Sequence, residues 1–132
     1  MDPQQEMFIA IREAAVSLFG EGHVYDGRLP PEGTPYPFVY LAANTWTDDT
    51  GNKSVIRGRN HQTIHVWHNN VRERGIVSDM LYRLKIALMN IRHTDRYGWM
   101  YRTSTQQILE DNTTKQPLLH GVLEAEHELL GG

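Results

Sequence analysis

Seven histidines and several closely spaced carboxylates are the residues through which this chain could do chemistry. His61, His65 and His68 are close enough in sequence to suggest a zinc site. The residues among them, Thr63, Ile64, Val66 and Trp67, favour a strand. On a strand His61 and His65 share a face but stand about 13 Å apart, while His68 points to the opposite face. Zinc holds its ligands about 2 Å from one centre. The three imidazoles are therefore read as solvated or structural, and neither a metal nor a cofactor is expected.

Carboxylates form the next set: Asp48 with Asp49, Glu110 with Asp111, and the alternating Glu124, Glu126 and Glu128. General acid and base work needs two carboxyls in unequal environments inside a cleft. These sit in turns, or alternate along a terminal strand so that one face becomes acidic. Such a face is solvated or meets a partner, and charges along an edge strand also discourage uncontrolled sheet addition. The chain has no cysteine, which excludes disulfides, thiolate ligands and a thiol nucleophile together. Ser17, Ser54, Ser78 and Ser104 lack the glycine framing of a nucleophile elbow. Gly20-Glu21-Gly22 and Gly131-Gly132 lack the further glycine and helix start that phosphate cradles require. No enzyme is expected.

What remains is surface recognition. Lys53, Arg57 and Arg59 make a basic flank on a polar segment, and a mobile loop on a rigid scaffold commonly carries binding. The acidic row Glu124, Glu126 and Glu128 is its electrostatic complement, so a contact between the arm of one copy and the strand of the next is physically reasonable. Asp48, Asp49, Lys53, Arg57, Arg59, Glu124, Glu126 and Glu128 are the candidate assembly contacts. Tyr97, Trp99 and Tyr101 alternate, as a base-stacking stripe would. With a net charge of −3 they are better read as core or subunit contact, and no sequence-specific nucleic-acid partner is expected.

These groups must be positioned by the rest of the chain. A length of 132 residues with 39% apolar and 22% charged residues fits one globular domain, residues 1–132. Asp2 can cap a first helix, Pro3 suits its first position, and Gln5 has the spacing of a capping box. Met7, Phe8, Ile11, Ala14, Ala15 and Leu18 then lay down an apolar stripe that ends at Gly20. Glycines and prolines over residues 22–37 mark a surface connection. Strands are expected over residues 38–46 and 61–68, joined by a flexible hairpin loop over residues 47–60. A second helix is expected from about Asn70, where Asn70 and Glu73 have capping-box spacing, and runs on through Val77, Leu81, Leu84 and Leu88. Strands over residues 98–110 and 118–129 complete the order α-β-β-α-β-β. The fold class is α+β, a mostly antiparallel sheet of about four strands with two amphipathic helices packed on it. No apolar run approaches the roughly 20 residues that cross a bilayer, so no membrane partner is expected. Met1-Asp2-Pro3-Gln4-Gln5-Glu6 is acidic where a secretion signal is basic, which leads us to expect a cytoplasmic protein.

Val24-Tyr25-Asp26, Pro35-Tyr36-Pro37-Phe38-Val39-Tyr40-Leu41, His61-Gln62-Thr63-Ile64-His65-Val66-Trp67, the second helix and His120-Gly121-Val122 follow one another as landmarks over nearly the whole chain. In this order they resemble the tail-completion proteins of long, noncontractile-tailed bacteriophages, which include tail terminators and tail-to-head joining proteins. The resemblance implies a homo-oligomer, a hexameric ring on the head-proximal end of the tail. The ring would stop tube polymerisation and meet the head connector, with the tail tube protein and the connector as partners and no catalysis. Assembly would take place in the host cytoplasm and the product would be part of the virion. The family's later hairpin often turns on Asp-Gly, where this chain has Asp111-Asn112-Thr113-Thr114. Two rival readings stand beside it. One is a small α+β enzyme or ligand-binding domain using His65 or His120 with a carboxylate in a closed pocket. The other is a nucleic-acid module using Arg57, Arg59 and the face from Tyr97 to Tyr101.

Overall fold

The structure is a computed structural model that describes residues 1–49 and 56–131. Its elements are α1 (Pro3–Phe19), a 3-10 turn (Glu21–His23), β1 (Val24–Asp26), β2 (Phe38–Asp48), β3 (Gly58–His68), α2 (Arg74–Met89), β4 (Gly98–Asp111) and β5 (Leu118–Gly131). The expected α+β class and element order are present, with one short strand added.

Local chemistry explains where each helix begins. The Asp2 carboxylate accepts the Gln5 N–H at 2.9 Å, Pro3 opens α1, and Gly20 at φ 90° closes it in a conformation that side chains disfavour. Helix α2 starts later than the spacing of Asn70 and Glu73 predicts, because both side chains are used elsewhere. Asn70 Oδ1 accepts the Arg72 N–H at 3.0 Å, a local turn that competes with helix. Glu73 sits at the N-cap without a side-chain cap, and its carboxylate lies 2.9 Å from His68 Nε2.

The sheet runs β1-β2-β3-β5-β4, antiparallel throughout except for the parallel pair of β1 with β2. Strand β1 lies in the stretch expected to be only a surface connection. With three residues it is too short to show alternation in sequence, yet Val24 is buried opposite Val39. The β2–β3 hairpin is longer than expected, since pairing reaches Asp48 with Gly58 and the Asp49 N–H donates to Arg57 O at 3.0 Å. Residues 47, 48 and 58–60 of the expected loop are thus strand, and Lys53 lies outside the described residues. A bulge in β2 between Leu41 and Asn44 leaves carbonyls that buried Gln62 helps to satisfy. Its amide donates to Ala42 O and Ala43 O at 3.4 Å each, and its carbonyl accepts from Asn44 Nδ2 at 2.8 Å.

Alternation on the strands sorts the two faces. Val39, Leu41, Ile64, Val66, Leu123 and Ala125 point toward the helices and meet Met7 and Ile11 of α1 and Val77, Leu81, Leu84 and Leu88 of α2 in one core. Full burial of each large aliphatic side chain contributes roughly 1.5–3 kcal/mol. Gly121 of β5 lies directly beneath α2: a Cβ there would stand 2.8 Å from Val77 Cγ1 and 3.1 Å from Leu81 Cδ1. Among the described residues no helix covers the opposite face of the sheet, an arrangement that antiparallel sheets tolerate when that face is polar enough for water.

Candidate functional site

The helix-free face gathers most of the residues singled out from the sequence. Pairing of β3 with β5 sets Arg59 opposite Glu128, His61 opposite Glu126 and Thr63 opposite Glu124. Period-two alternation therefore brings Arg59, of the basic flank, and the acidic row onto one face of the sheet. Arg59 Nη1 lies 3.6 Å from Glu126 Oε1, Arg102 Nη1 3.5 Å from Glu128 Oε2, and His61 Nε2 3.9 Å from Glu124 Oε1. Such half-exposed pairs contribute at most about 1 kcal/mol each. They orient side chains rather than hold the fold. Asp48 accepts the Trp46 indole N–H at 2.8 Å, Arg57 is exposed at the end of the hairpin, and Asp49 lies beside Arg57 and Arg59 around a small depression.

Sequence reasoning did not foresee that β3 and β5 are neighbours. Hairpin signals identify strands joined by short turns, whereas this pairing spans residues 59–128 and is created by the fold. The adjacency means that the complementarity between arm and acidic strand is met, in part, within the chain.

The other end of the same face is aromatic. Trp67 stacks on His120 with centroids 3.8 Å apart and planes 5° from parallel, and His65 shares a hydrogen bond between its Nδ1 and His120 Nε2. Tyr40 and Val122 flank this group across the adjoining strands. Partial burial lowers the pKa of His65 from its ordinary value. Burial and the neighbouring charge of His65 do the same for His120. Both shifts favour the neutral ring, and neither ring has a carboxylate within hydrogen-bond reach among the described contacts.

The three clustered histidines separate as strand geometry requires. His61 and His65 occupy the open face, while His68 is buried on the helix side against Glu73. Among the described residues, no group of three or more His, Cys, Asp or Glu side chains could hold a metal ion. His127 is fully buried and donates Nε2–H to Leu88 O at 2.9 Å, tying β5 to the end of α2. Burial pushes its pKa down. Trp99 is core, with Tyr97 and Tyr101 packed against it, as the alternating aromatics suggest. The larger depressions, of 590 and 420 Å³, are open grooves, and the His68–Glu73 pair lines neither.

No family model and no curated protein matches the chain. Among solved structures, its fold is similar to that of a chain from the virion of a native gene transfer agent particle. The TM-score is 0.52 at 15% identity, over 96% of this chain and 94% of that one. A second solved structure aligns with a TM-score of 0.58 at 13% identity, over 98% of this chain and 94% of that one. Both likenesses cover nearly all of each chain, and at these identities they show a shared fold.

Proposed function

We propose that this chain is a non-enzymatic virion structural protein that forms a ring at the head-proximal end of a phage-type tail. There it would end tube polymerisation, join the tail to the head connector, or do both. The observation that carries this reading is the end-to-end fold likeness to a chain of a gene transfer agent virion. The order of sequence landmarks over the same residues points to the same class of particle. Exposed chemistry is consistent with it: charges and aromatics are spread over an open sheet face, and His65 and His120 face each other rather than a carboxylate in a closed cleft. The partners on this reading are further copies of the chain in a hexamer, the tail tube protein and the head connector.

Asp48, Asp49, Lys53, Arg57, Arg59, Glu124, Glu126 and Glu128 are kept as candidate contacts at the rim of that assembly. Arg57, exposed at the hairpin end, is the described cation of this set that lies outside the strand pairing of β3 with β5. Electron microscopy of the protein mixed with purified tail tubes tests the role, and a ring at one end of each tube is expected. Decoration along the whole tube, or none at saturating protein, would defeat the proposal. Reversing Arg57 and Arg59 to Glu is expected to weaken ring formation, and unchanged assembly would remove the arm from the interface.

A further inference from the structure

Helix α2 is apolar on two sides. Its buried stripe is Val77, Met80, Leu81, Leu84 and Leu88. At 100° per residue, Tyr82, Ile86 and Met89 fall within about 60° of one another on the side facing away from that stripe. They are 55%, 38% and 43% exposed. A helix that merely closes a core has a polar outer face, so this second stripe calls for a cover.

The helix-free face of the sheet has the matching character. At its centre Val122 sits between His65 of β3 and Gln107 of β4, with Tyr40, Trp67 and His120 around it and exposed Leu109 beyond. Charge separates between the two surfaces. Within α2, Arg74, Arg83 and Lys85 outnumber Asp79. On the open sheet face, Asp111, Glu124, Glu126 and Glu128 outnumber Arg59 and Arg102. A basic, apolar helix face and an acidic, aromatic sheet face on opposite sides of one small chain are complementary to each other, yet cannot meet within it.

We infer that the outer face of α2 in one copy docks on the helix-free sheet face of the next. Tyr82, Ile86 and Met89 would lie over Val122, Trp67 and His120, with Arg83 and Lys85 directed toward the acidic row. The sheet then becomes the middle layer between its own helices and a neighbour's, the layered arrangement that buries both faces of a sheet. Because the two patches differ, the contact is head-to-tail and repeats until a ring closes. This deepens the proposed ring by naming the surfaces that build it, and it rests on that reading only in calling for repeated copies.

The absence of native cysteine makes a direct test available. Ile86→Cys and Val122→Cys are made in separate, differently tagged chains, checked for folding by circular dichroism, and mixed at about 1 mM with a short bis-maleimide. The expected product is the mixed adduct in large excess over either homo-adduct. It should be lost when Arg83→Glu and Lys85→Glu are added to the Ile86→Cys chain. A dominant Ile86→Cys homo-adduct would show a two-fold contact instead and overturn the inference, as would the absence of any adduct. A chain that gives the mixed adduct but leaves tail tubes uncapped overturns the virion reading alone. A chain that caps tubes without the adduct overturns this surface alone.

Discussion

Replacing Gly121 with alanine tests whether the seating of α2 on the sheet is set by one missing side chain. The new Cβ would lie 2.8 Å from Val77 Cγ1, 3.1 Å from Leu81 Cδ1 and 3.3 Å from Leu81 Cγ. Val77 and Leu81 are both fully buried, so neither can swing into solvent, and the helix itself must lift. Overpacking of this kind costs about 1–3 kcal/mol. For a domain of this size that corresponds to a loss of roughly 3–12 °C in Tm. Urea denaturation followed by circular dichroism gives the free energy directly. The mechanism makes a sharper demand on the double variant. Val77→Ala alone leaves a small cavity and destabilises, but in the Gly121→Ala background it removes the atom struck first. The two changes should therefore couple favourably by about 1 kcal/mol or more. A Gly121→Ala chain as stable as the parent, or strictly additive single and double variants, would refute the close-packing argument.

Two other outcomes follow from the same structure. Burial lowers the His127 pKa below its ordinary 6.5. Above that value folded and unfolded chains both hold the ring neutral. Below it the unfolded chain takes up a proton that the folded ring resists, so stability should fall as pH drops from about 6.5. This ring contributes a slope of at most about 1.4 kcal/mol per pH unit. His65 and His120 act in the same direction but less strongly, being half-exposed. His127→Gln, which can still donate to Leu88 O, should flatten the pH dependence of the urea midpoint, and an unchanged slope would contradict this assignment. Asp2→Ala removes the carboxylate that accepts the Gln5 N–H and should destabilise by about 1 kcal/mol, whereas no loss of stability would mean that this cap is irrelevant to α1.

How much could be read from the residues follows the range over which each signal acts. Stripes such as Met7, Ile11 and Ala15, or Val77, Leu81, Leu84 and Leu88, repeat within one element and announce it. The alternation of Glu124, Glu126 and Glu128 with Ala125 and His127 likewise gives the strand and its two faces. Signals carried by a single polar group are weaker, because that group can bond elsewhere. Asn70 and Glu73 have capping spacing, yet one closes a turn and the other meets His68. Strand β1 has too few residues for any period. Relations between distant segments leave no local trace: nothing near residue 59 says that Glu126 will stand beside it, and nothing near residue 65 points to His120. The outer stripe of α2 was legible in principle, since Tyr82, Ile86 and Met89 lie at helical spacing. It is easily absorbed into the adjoining core pattern until burial separates the two.

On the proposed reading, the character of the two docking faces also bears on when copies come together. A subunit that closed rings freely in solution would compete with the tail for its own copies. Here the apolar residues are moderated: Lys85 Nζ lies over the Tyr82 ring at 5.3 Å, and Arg83 lies over Phe19 at 5.1 Å. Both cations border the outer face of the helix and, on the docking inferred above, would turn toward acids on a neighbour. The acidic row is in turn engaged by Arg59 and Arg102 of its own chain, which reduces the electrostatic gain from a single contact. Each pairwise contact can then be weak. A template that holds several copies side by side raises their effective concentration, and ring closure gives every copy two contacts. On that reading, assembly conditional on the tube end would follow from modest contacts used twice.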